Sequence, residues 1–127
     1  MAKYVDGFVF VVPKAKVSEY KKMANEGKSA WMKHGALLYY ECKGEDLKTK
    51  AMGGMPAAVS FTKLAKAKPS ETVWFSFIVY KSKKHRDEVN KKVMDEMNEK
   101  YKDVKDFSMP FDMKRFATGG FEAVIES

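Results

Sequence analysis

The sequence predicts an α+β fold: a four-stranded antiparallel sheet with two helices on one face. Three observations predict it. Four stretches of strand length, residues 4–12, 36–43, 72–80 and 116–125, are rich in β-branched and aromatic residues, and the first three alternate with a period of two. Two stretches between them, residues 14–34 and 82–101, place their apolar residues at helical spacing instead. The order strand, helix, strand, strand, helix, strand has its compact solution when both helices cover the same sheet face.

In residues 4–12, Phe8, Phe10 and Val12 alternate against Val5, Val9 and Val11, and Pro13 closes the strand. From there Val17, Tyr20, Ala24, Gly27 and Trp31 fall on one face of a helix that Gly35 stops. In the second strand Leu38, Tyr40 and Cys42 alternate against Leu37, Tyr39 and Glu41. Residues 44–69 then read as a long loop insertion, with Met52-Gly53-Gly54-Met55-Pro56 inside it and a short strand or helical turn at 59–67. So long a loop in a compact domain is often functional or mobile. The third strand carries Val73, Phe75, Phe77 and Val79 on one face and Trp74, Ser76, Ile78 and Tyr80 on the other. Ser82 suits the N-cap of the second helix, whose apolar stripe is Val89, Val93 and Met97. A turn at Met109-Pro110 leads to the last strand, where Gly119-Gly120 allows a bulge or a close strand approach. The whole is the βαββαβ order of the ferredoxin-like fold, as a single domain over residues 1–127.

Composition narrows the class. At 45% apolar and 32% charged residues over 127 positions, the chain is that of an ordered globular domain. No apolar run approaches the ~20 residues of a membrane span. The opening Met1-Ala2-Lys3-Tyr4-Val5-Asp6 lacks the blocks of a signal peptide, and the lone Cys42 fits a reducing compartment, so the expected location is cytoplasmic. One cysteine and two histidines make no metal motif, and neither a phosphate-binding glycine loop nor a nucleophile elbow occurs. No cofactor and no metal is expected. The net charge of +7 is spread among acids rather than gathered in one stripe, which argues against nucleic acid.

The first and third strands are apolar on both faces, whereas an antiparallel sheet with one wet face alternates apolar and polar. If Phe8 and Phe10 share the helix-free face with Phe75 and Phe77, the exposed aromatic patch is larger than monomers tolerate. A second copy is the simplest cover, and two sheets packed so form a dimeric α+β barrel with a cavity between them.

Several stretches carry a family resemblance. They are Lys3-Tyr4-Val5-Asp6-Gly7-Phe8, Val12-Pro13-Lys14, Glu71-Thr72-Val73 with Phe75-Ser76 and Ile78-Val79-Tyr80, then Arg86-Asp87 and Asn90. They end with Met109-Pro110-Phe111-Asp112-Met113-Lys114-Arg115 and Gly119-Gly120-Phe121-Glu122. With these the chain resembles the YbaA-like family of uncharacterised bacterial proteins. The resemblance implies the dimeric α+β barrel and no established activity.

The candidate site residues are few. Asp112, Lys114 and Arg115 precede an apolar strand, and Arg115 beside Lys114 would clamp a carboxylate or phosphate; the alternative is a turn that Asp112 caps. His85, Arg86, Asp87 and Asn90 open the second helix, where anions are favoured, or simply hold its surface together. His34 suits a helix C-terminus. Asp6 and Glu41 are acids in apolar strands, each a general base if buried. Trp74 and Tyr80, with Tyr4 and Tyr40, are candidates to line a cavity. Together these features point to a homodimer that binds a small aromatic or anionic molecule, and leave open whether it is an enzyme. Two alternatives stand beside this: an RNA-binding module that stacks bases on the aromatic sheet face, and a structural or regulatory homodimer.

Overall fold

A computed structural model describes residues 2–105 and 108–127; Met1, which opens the stretch tested above for a leader, lies outside them. Strands β1 (Tyr4–Pro13), β2 (Leu38–Lys43), β3 (Glu71–Tyr80) and β4 (Ala117–Glu122) form one antiparallel sheet in the order β2-β3-β1-β4. Two long helices, α1 (Val17–Lys33) and α3 (Lys83–Lys100), pack on one face, and a four-residue helix α2 (Phe61–Leu64) lies within the long connection. No described helix is long and apolar enough to cross a membrane.

The helix boundaries follow from local chemistry. Residues Lys14–Lys16 form a 3-10 turn, so α1 begins at Val17, the first residue of its apolar stripe, rather than at residue 14. It ends in a Schellman motif: Gly35, at φ +111°, donates to the Met32 carbonyl (3.2 Å), and Ala36 donates to that of Trp31 (3.0 Å). Ser82 caps α3 by accepting from the His85 amide at 3.1 Å.

The register corrects one expectation. Phe8 lies opposite Ser76 and Phe10 opposite Trp74, while Gly7 and Val9 face Phe77 and Phe75. Phe8 and Phe10 therefore turn to the helices, and Phe10 is 1% exposed. Alternation within each strand is a local property; which faces coincide is decided by the pairing register, and a one-residue slip exchanges them. The stacking surface imagined for RNA is thereby divided between two faces. Phe10, Trp74 and Tyr80 are buried beneath the helices.

The helix-free face is itself divided. At one end Val11 and Val73 are buried under Ala65, with Leu47 and Ala67 alongside, so part of the 44–69 segment is packed rather than free. At the other end Leu38, Tyr40, Phe75 and Phe121 stay exposed, and Tyr40 stacks on Phe77 with ring centroids 5.2 Å apart. In the glycine pair of β4, Gly120 is explained by close approach. A side chain at Gly120 would overlap the Tyr4 ring.

Candidate functional site

Between the helix layer and the sheet lies a cavity of about 640 Å³. It is not the space between two sheets that the sequence led us to expect; its walls come from one chain. Aromatic packing makes one wall: Phe10 lies 5.2 Å from Phe116 and 5.3 Å from Tyr20, and Phe111 stacks on Phe116 at 5.1 Å. Exposed lining residues, Met94, Thr118, Gly119 and Gly120, mark the open side beside β4.

Two carboxylates reach the cavity from the sheet. Glu41 of β2 stands directly opposite Ser76 of β3, with Tyr39 two residues away on the same side. Tyr20 approaches from α1. Glu41 Oε1 accepts from Tyr20 Oη (2.7 Å) and from Ser76 Oγ, and Oε2 accepts from Tyr39 Oη (2.7 Å). Hydrogen bonds to a charged group contribute roughly 1.5–3 kcal/mol each, which offsets the desolvation of the carboxylate. Burial, and then the neighbouring Glu41 charge, push the Tyr20 and Tyr39 hydroxyls well above the usual phenol range. They remain neutral donors.

Asp6 of β1 is partnered differently. Arg86 Nη1 donates to Asp6 Oδ1 at 2.7 Å, and Asn90 Nδ2 lies 3.4 Å from Oδ2. Asn90 Oδ1 in turn accepts from Trp31 Nε1 and Tyr80 Oη, both at 3.0 Å. Arg86 also donates to Asp87 (2.8 Å) and sits 4.8 Å over the Tyr4 ring. Burial and then the Asp6 charge raise the Tyr80 hydroxyl above its ordinary range.

The other candidates are placed elsewhere. Arg115 holds Glu71 with two bonds (2.7 and 2.6 Å), Asp112 with one (2.9 Å) and the Lys66 carbonyl with another (2.9 Å). Asp112 also caps the Lys114 amide at 2.9 Å, so this cluster fastens the turn before β4 to the end of the 44–69 segment. Glu71 is held down at about 2 by Arg115 first and the Lys68 amide second. His85 Nδ1 accepts from the Lys81 amide (3.0 Å), and His34 Nε2 lies 3.1 Å from Glu96. Trp74 is buried beside Tyr20 with its indole donating to Thr72 at 2.9 Å. Of the predicted site residues Asp6, Tyr40, Glu41, Tyr80, Arg86 and Asn90 line the cavity; Asp112, Lys114, Arg115, His85 and Trp74 do not, nor do Tyr4, His34 and Asp87. Sequence reading missed the hydroxyl ring around Glu41. Its visible signals were Glu41, an acid in an apolar strand, and Ser76, a polar residue interrupting the most apolar strand.

Fold and cavity together define an α+β protein with an internal, aromatic-walled pocket. The chain belongs to the family described as "Protein of unknown function (DUF1428)", whose model matches residues 3–113. It is 40% identical over 126 residues, 98% of each chain, to the uncharacterized protein YbaA of Escherichia coli strain K12, and equally to YbaA of Shigella flexneri. A solved structure, the de novo designed protein Foldit4, matches with a TM-score of 0.42 at 10% identity over 94% of this chain and 96% of that one.

Proposed function

We propose that the chain is a small-molecule-binding protein of ferredoxin-like fold whose ligand occupies the cavity between the helices and the sheet. The observation that carries this reading is the pocket itself: about 640 Å³, aromatic-walled, with a hydroxyl-ringed carboxylate at its edge. Ligand sites are typically about 300–1,000 Å³ and apolar, with a few convergent polar groups. An aromatic ligand suits the Phe10, Phe111 and Phe116 wall. The uncharged fluorophore N-phenyl-1-naphthylamine tests this directly, because its emission rises on leaving water. Saturable enhancement is expected, weakened by Met97→Trp, which fills the lining from the partly exposed side of α3. No enhancement at any concentration would rule the reading out.

A second reading concerns assembly. Leu38, Tyr40, Phe75 and Phe121 form an exposed apolar patch of the kind that soluble monomers rarely carry. A second copy packed on this face gives a twofold dimer with the ligand cavities facing outward from the interface. Light scattering after gel filtration is expected to give twice the chain mass, and Tyr40→Lys is expected to give the monomer. A wild-type monomer would refute it. The exposed Cys42 accords with a reducing cytoplasm.

A further inference from the structure

A chain of net charge +7 turns an acidic interior to its cavity. Among the described residues the lining holds three carboxylates, Asp6, Glu26 and Glu41, against one guanidinium, Arg86. Asp6 is paired with Arg86 at 2.7 Å and Glu26 with Lys100 at 2.8 Å. Glu41 alone of the three is paired with no cation among the described residues: hydroxyls satisfy its hydrogen bonding without cancelling its charge. Two of those donors fall on Oε1 and one on Oε2. An ionised carboxylate offers about four acceptor sites, so one on Oε2 remains for a ligand. An anionic ligand meets a less favourable charge, because the Arg86 guanidinium is already paired with two carboxylates, Asp6 and Asp87.

We infer that the cavity selects an organic amine, an aromatic group carrying an ammonium, with the aromatic part on the Phe10–Phe111–Phe116 wall and the ammonium donating to Glu41. The inference rests on the small-molecule reading and adds the charge of the ligand. The tyrosines around Glu41 serve it twice. As neutral hydroxyls they donate to the carboxylate in an apolar setting, and their rings offer an ammonium a favourable π-face.

The test is competition for bound N-phenyl-1-naphthylamine between tryptamine and indole-3-propionate, which share the ring and the two-carbon spacer and differ in charge. Tryptamine is expected to displace the fluorophore at about tenfold lower concentration, equivalent to about 1.4 kcal/mol. Glu41→Gln, which keeps the shape and removes the charge, is expected to bring the two to near parity. Equal displacement, or a preference for the propionate, overturns the inference while leaving the cavity reading standing. A preference that persists in Glu41→Gln overturns the assignment to Glu41. If that variant fails to bind the fluorophore, the wild-type ratio alone decides. Failure of the wild type to bind it at all removes the cavity reading, and the inference with it.

Discussion

Arg86 Nη1 lies 2.7 Å from Asp6 Oδ1, joining the first turn of α3 to the start of β1 across 80 positions of chain. Asp6 is buried, so the pair is a tether whose worth shows mainly when it is half removed. Arg86→Ala leaves a carboxylate without its cation inside the fold and is expected to cost about 3 kcal/mol in urea unfolding. Adding Asp6→Asn is expected to return part of that loss. Strict additivity of the two substitutions would show that the residues do not act as a pair.

Glu71 and Arg115 set an acid limit. The Glu71 carboxyl is held at about 2 against an ordinary 4.5, so its folded form binds a proton less readily than its unfolded form. The stabilisation is complete above pH 4.5 and fades as pH falls toward about 2. Glu71→Gln is therefore expected to melt lower than wild type at neutral pH, with the gap closing through that window. A gap independent of pH would mean that the carboxylate charge contributes nothing.

Tyr20, Tyr39 and Tyr80 impose the opposite limit. Their hydroxyls are raised above the ordinary phenol value of 10.0, chiefly by burial, so the folded state keeps protons that the unfolded state releases. Their contribution is present below pH 10 and declines as pH rises beyond it. In an ultraviolet titration these three of the six tyrosines are expected to ionise together with alkaline unfolding. Their ionisation in a chain that stays folded would contradict the burial of Tyr20 and Tyr39 around Glu41 and of Tyr80 beside Asn90.

Much of the fold is legible because it is written locally. Ser82, Gly35 and the Val89–Val93–Met97 stripe carry their structural meaning within a turn or two of helix. The pairing register is not local. Nothing within either strand tells that Phe10 meets Trp74 rather than Phe75, and so the aromatic patch was drawn on the wrong face. The site shows the same division. Arg86 and Tyr80 are visible as functional types in sequence and do line the cavity. Arg115 carries the same chemistry, yet Glu71, 44 positions away, takes up its fork. Glu41 and Ser76 become one feature only once β2 and β3 are paired; apart, they are an odd acid and an odd serine.

The central claim is that a small molecule enters between the helices and the sheet, and the two tryptophans report on it separately. Trp31 lines the cavity and donates its indole N–H to Asn90 at 3.0 Å, whereas the Trp74 indole does not line it and donates to Thr72 at 2.9 Å. In an amide correlation spectrum titrated with N-phenyl-1-naphthylamine, the Trp31 indole resonance is expected to move saturably and further than that of Trp74. An unmoved Trp31, with shifts confined to Phe75, Phe77 and Phe121, would place the ligand on the helix-free face and contradict the account.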